Sequence, residues 1–190
     1  DLIVAAVRTD PDRSKRHVGL SLLVVEKTFV GFAASRKLRK MGWSASDTAE
    51  LSFTDCQVPV ENRLGEEGSA FFAILRNFAA ERLLLAAQCV AIAQLAYDES
   101  IAFAKLRTTF GKPLSRHQVI RHKLADMATQ LAAARALVGE CAVRCQRGEV
   151  VMSQLAMCKN TATDMCSFVV DQAVQIHGGM GMTDELNVGH

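Results

Sequence analysis

The feature that most constrains this chain is a change of hydrophobic period at LGEEG, residues 64 to 68. Before it the sequence has the texture of a sheet. LIVAAV (2–7) and LSLLVVEK (20–27) are apolar, β-branched runs joined by the polar stretch RTDPDRSKRH, which reads as a hairpin connection. AELSF (49–53) alternates strictly, with Ala49, Leu51 and Phe53 on one face and Glu50 and Ser52 on the other, and stops before Val58-Pro59. That pattern predicts a half-buried antiparallel strand. After Ser69 the breakers thin out to Gly111, Pro113, Gly139, Gly148 and a late glycine cluster. Three long helical stretches are predicted, at 69–107 with Asn77 as a candidate break, 115–147 and 151–176. Their Ala- and Leu-rich faces call for packing against one another as an up-down bundle. The fold class is therefore α+β, an antiparallel β segment over 1–65 followed by a C-terminal helical bundle over 66–190.

Composition narrows the function. The net charge is +2 and the 22 basic residues are scattered among 20 acidic ones, so no basic surface for nucleic acid is expected. Apolar stretches are interrupted by charge within about a dozen residues, so no membrane span is expected. Cys56, Cys89, Cys141, Cys145, Cys158 and Cys166 show no CxxC spacing, and no His stands at a zinc-finger distance. They read as reduced, small hydrophobes in a reducing compartment, bacterial cytoplasm or mitochondrial matrix, with no metal. The chain opens on DLIVAAV without an initiator Met and reads as a fragment.

Three stretches carry candidate chemistry. FAAERLLLAA (78–87) places Glu81 and Arg82 inside an otherwise apolar run, where ionised groups either face water or stand at the wall of a site. LRTTFGKPLSRHQ (106–118) ends one helix and begins another, and an Arg near a helix C-terminus followed by Gly is also ordinary capping chemistry. QIHGGMG (175–181) ends a helix in two glycines, which serve as a C-cap or permit close approach to the backbone. No GxGxxG follows a strand there, which excludes a Rossmann site, and His177 reads as a packed or capping residue.

In order along the chain, KMGWSASDTAELSFTDCQVPVENRLGEEGSAFF, ERLLLAA, LRTTFGKPLSRHQVIRHKLADM and AVQIHGGMGMTDE resemble the acyl-CoA dehydrogenase family, over about residues 1–185. The leaning is towards the long-chain and isovaleryl types. The resemblance implies that residues 1–65 end a β-barrel-like middle domain and that FAD lies between subunits. It assigns Arg107 to the FAD pyrophosphate, Thr109, Phe110 and Gln118 to neighbouring cofactor contacts, and Gln175, Gly178 and Gly179 to the ADP half. The planar fork of Arg suits a diphosphate, and glycines leave backbone N–H groups approachable.

The chemistry implied is α,β-dehydrogenation of an acyl-CoA thioester, a carboxylate removing the α-proton while a hydride passes to flavin. Glu81, immediately before Arg82, matches one of the two positions of the base in this family, and its apolar neighbours would raise its basicity. A structural Glu81–Arg82 pair with the base beyond His190 is the other reading. Arg82 is assigned to the acyl-CoA site. The resemblance further implies a homodimer or homotetramer that passes electrons to an electron-transfer flavoprotein. A flavin oxidase on the same scaffold and a catalytically silent acyl-CoA-binding or assembly subunit are the alternatives. As an isolated fragment the chain is expected to be inactive.

Overall fold

The computed structural model describes residues 1–149 and 151–189 and divides into two compact units, Asp1–Arg76 and Asn77–His190. In the first unit the two β-branched runs form strands β1 (Leu2–Arg8) and β2 (Leu20–Glu26), antiparallel with Leu2 opposite Glu26 and Arg8 opposite Leu20. The short strand β5 (Arg63–Leu64) pairs with the other edge of β2, giving the order β1-β2-β5. The connection between β1 and β2 is held by its aspartates, as expected of Asx turns. Asp10 and Asp12 each accept the backbone N–H two residues on, and Lys15 pairs with Asp10 at 2.8 Å. That contact holds the Asp10 carboxyl below the usual range.

A second, two-stranded sheet pairs β3 (Phe32–Lys37) with β4 (Ala49–Phe53), and the rings of Phe32 and Phe53 lie 5.4 Å apart. Strand β3, sequence FAASRK, lacks an apolar alternation and was not expected from the sequence. The expectation that AELSF would be half-buried is overturned, because all five residues of β4 are exposed. A two-stranded ribbon buries a face only when a second layer covers it, and within this unit Leu51 and Phe53 remain open to solvent.

The three helices follow the sequence reading closely. They are α1 (Ala70–Leu106), α2 (Gln118–Gln146) and α3 (Met152–His177). Asn77 does not break α1. Its Nδ2 donates to Glu81 Oε1 at 2.5 Å, an i,i+4 pair along the helix surface, rather than competing for backbone groups. Helix α2 starts at Gln118 because Leu114–Arg116 form a separate 3-10 turn.

The core of the second unit is where the three helices meet. Val90, Ala93, Ala96 and Ala104 of α1 pack with Met127, Leu131 and Ala134 of α2 and with Met165, Val169, Ala173 and Ile176 of α3. A second cluster joins Ala86 to Cys141, Leu155, Cys158 and Ala162. The short link between α2 and α3 makes them antiparallel neighbours.

Against the sequence reading, α1 is long and apolar enough by length and composition to cross a membrane, with mean hydropathy 1.4 over its most apolar window. Fifteen uncharged residues separate Arg82 from Asp98, although no strictly apolar run is that long. Of these, Ala86, Val90, Ala93 and Ala96 lie in the core.

Candidate functional site

Helices α1 and α3 end at the same place. Helix α1 gives way to a tight hairpin, β6 (Thr108–Thr109) against β7 (Lys112–Pro113), and the Leu114 N–H returns to the Arg107 carbonyl at 2.8 Å. Helix α3 ends at Gly178, whose φ of 60° and ψ of −136° suit glycine alone. Its N–H closes back on the Val174 and Gln175 carbonyls.

Between the two ends is an open cleft of about 580 Å³, walled by Phe103, Arg107, Thr109 and Leu114 on one side and by Ile176 to Met180 on the other. His177 is buried, and its Nδ1 lies 2.7 Å from the Ala173 carbonyl, which can only accept, so Nδ1 carries the hydrogen. It is thus a packed residue, as the sequence suggested.

The structure brings four of the predicted cofactor residues, Arg107, Thr109, Gly178 and Gly179, to this one cleft from segments about 70 positions apart. Arg107 is exposed and has no ion-pair or hydrogen-bond partner for its guanidinium among the described residues. Thr109 is positioned by His117, whose Nε2 stands 3.2 Å from Thr109 Oγ1 and 3.3 Å from its carbonyl oxygen. A Cβ built on Gly178 or Gly179 meets nothing within 4 Å, so both backbones face open space. On Gly181 it would stand 2.7 Å from the Val174 carbonyl oxygen, so that third glycine permits packing against α3.

Phe110, Gln118 and Gln175 are exposed near the cleft in sequence but are not among its walls. Phe103, Leu114, Ile176 and Met180 line it and were not foreseen. The only sequence signal for them is their position within a few residues of the two glycine turns.

The cleft fits a dinucleotide such as FAD. It offers a free guanidinium for a diphosphate, two unshielded glycine backbones and an apolar floor in Phe103 and Ile176. Among the described residues no three His, Cys, Asp or Glu side chains are grouped to hold a metal.

Glu81 and Arg82 lie elsewhere, 26 residues and about 39 Å up α1 at 1.5 Å per residue. The apolar wall expected around Glu81 is only half present in this chain. Ala79 and Leu83 pack against the second cluster, whereas Ala80, Leu84 and Leu85 are exposed, and so is Glu81 itself.

The chain thus has an α+β fold, antiparallel strands followed in sequence by a helical bundle with a cleft at one end. Residues 70–190 match the family described as acyl-CoA dehydrogenase, C-terminal domain, and the chain belongs to the acyl-CoA dehydrogenase family. The short-chain specific acyl-CoA dehydrogenase of Megasphaera elsdenii is 40% identical over 177 residues, 93% of this chain and 46% of that protein. The long-chain specific mitochondrial acyl-CoA dehydrogenase of Mus musculus is 36% identical over 180 residues, 95% and 42% respectively. The crystal structure of acyl-CoA dehydrogenase from Geobacillus kaustophilus superposes with a TM-score of 0.95 at 39% identity, covering 99% of this chain and 50% of that one. The chain spans about half the length of the relatives it matches.

Proposed function

We propose that this chain forms part of an FAD-dependent acyl-CoA dehydrogenase, with residues 1–65 belonging to a middle β domain and residues 66–190 to the helical domain. The observation that carries the reading is the convergence of Arg107, Thr109, Gly178 and Gly179 on one cleft. Arg107 would pair its fork with the pyrophosphate, and the Gly178 and Gly179 backbones would approach the ADP half. Phe110, Gln118 and Gln175 would close around the same group from the exposed rim. When bound, FAD supplies the hydride acceptor.

Glu81 is assigned as the base that takes the α-proton of an acyl-CoA thioester, and Arg82 as a residue that orders the thioester beside it. Helix α1 is unbroken, so the Glu81 end and the Arg107 end cannot both serve one cofactor within a single subunit. A homo-oligomer in which Arg107 reaches the partner's FAD supports both assignments at once. Electrons would leave to an electron-transfer flavoprotein, in a reducing compartment consistent with six free thiols.

The test is rapid-mixing flavin reduction in the full-length protein, wild type against Glu81→Gln, over short, branched and long acyl-CoAs. Loss of reduction with thioester binding retained is the expected result. A mutant that reduces its flavin at the normal rate would place the base elsewhere.

A further inference from the structure

Among the described residues the Glu81 carboxylate has one partner, and it is not Arg82. Successive helix residues point about 100° apart, so adjacent side chains do not face each other. No ion pair joins Glu81 to any Lys, Arg or His among the described residues, and Arg82 makes none either. The partner is Asn77, about one turn earlier on α1, whose Nδ2 donates to Glu81 Oε1 at 2.5 Å. Glu81 Oε2 accepts no hydrogen bond among the described residues.

The kind of donor matters. A cation in contact with a carboxylate opposes its protonation, whereas an amide carries no net charge and fixes the group chiefly by direction. A Glu in a helix has three staggered wells at χ2 and two common ones at χ1, so an untethered side chain samples about six arrangements. The bond from Asn77 selects among them. Asn is a poorer helix former than Ala because its side chain competes for backbone groups, but here the amide is turned along the helix surface to Glu81 instead.

We propose that Asn77 is a positioning residue for proton transfer: it holds the Glu81 carboxylate by Oε1 and so leaves Oε2 as the oxygen that takes the α-proton of the thioester. The inference rests on the reading of Glu81 as the base. In the step the α-carbon–hydrogen bond breaks, the proton passes to Oε2, and the electron pair stays on the substrate as the thioester enolate. Where the electrons go no further, a proton from solvent exchanged at Oε2 returns to the α-carbon. A carboxylate already aimed loses little freedom on reaching that geometry, which is the advantage of the tether.

The experiment uses the full-length protein and two readouts. One is flavin reduction by an acyl-CoA on rapid mixing. The other is deuterium uptake from D₂O at the α-carbon of tert-butylacetyl-CoA, followed by mass spectrometry. This thioester has α-hydrogens but no β-hydrogen, so it reports on the base without hydride transfer. Asn77→Ala is expected to slow both by about three- to six-fold, the share of side-chain arrangements lost to the productive one. The thioester dissociation constant and the melting temperature are expected to hold, because a helix accepts Ala at least as well as Asn. Asn77→Gln keeps an amide donor within reach of the same carboxylate and is expected to restore most of the rate. In a Glu81→Gln background Asn77→Ala is expected to add no further loss, since the two act as a unit.

Unchanged rates in Asn77→Ala, an equal loss in Asn77→Gln, or weaker thioester binding in place of slower chemistry overturns the positioning role. If Glu81→Gln is inactive in the same series, the base assignment survives that outcome. Normal reduction in Glu81→Gln instead removes the base assignment, and the positioning role with it. Should wild type not exchange tert-butylacetyl-CoA, the reduction rates and dissociation constants decide by the same criteria.

Discussion

The rings of Phe103 and His177 lie 4.5 Å apart, tilted by 40°, where α1 and α3 end together. This contact ties the residue four positions before Arg107 to the residue immediately before Gly178, so the two walls of the cleft are held by one pair. His177 cannot rotate freely, because its Nδ1 is engaged by the Ala173 carbonyl. Phe103→Ala removes a half-buried ring, for which about 2 kcal/mol of destabilisation is expected. It should also release flavin from the full-length protein. Urea unfolding and the flavin absorbance of the purified variant measure the two effects.

The glycines of QIHGGMG separate into different roles. Gly178 holds a φ and ψ that other residues reach only under strain, so Gly178→Ala is expected to cost about 1–3 kcal/mol although its Cβ meets nothing. Gly179 lacks the positive φ and also faces open space, so Gly179→Ala should leave stability within about 0.5 kcal/mol. Any loss of flavin in Gly179→Ala therefore reports on the cleft itself. Thermal unfolding beside a flavin titration separates the two substitutions.

The helices were legible because their breakers are sparse, and the lengths predicted from Ser69 onward agree with α1, α2 and α3 to within a few residues. Asn77 was misread because propensity alone cannot tell an Asn that turns the backbone from one that bonds along the helix surface to Glu81. Alternation correctly marked AELSF as a strand, but burial depends on a covering layer that period alone does not supply. The motif residues of the cleft could be named from resemblance. Phe103 and Ile176 could not, because an apolar residue inside a helix looks the same whether it faces a core or a cavity.

The thiols give the fold an alkaline limit. Burial pushes the Cys158 thiol up to about 11, with neighbouring Cys141 adding to the shift. Burial and then Cys89 push Cys166 up to about 11 as well. An acid whose pKa is raised above its ordinary 9.0 favours the folded state while it is protonated. That stability is fully present below about pH 9 and is lost as the pH rises through 11. The melting temperature should therefore hold from pH 7 to 9 and fall towards pH 11, with a shallower fall in Cys158→Ala. Parallel slopes for the two proteins would remove the thiol from the account.

Phe110 stands at a position that its own hairpin does not favour. With φ of 51° at Phe110 and 78° at Gly111, the loop between β6 and β7 has the two positive φ values of a type I′ turn, which prefers Asn-Gly. A bulky residue there costs about 1 kcal/mol, and the ring is 96% exposed, with an edge-on contact to the His117 ring at 6.3 Å that offsets the strain only in part. Phe110→Asn should raise stability by about 1 kcal/mol by relieving the left-handed conformation. If the ring contacts the cofactor, as the family resemblance implies, the same substitution should weaken flavin retention. Chemical unfolding and flavin dissociation would then move in opposite directions. A variant that gains stability and keeps its flavin would show that Phe110 is not a cofactor contact.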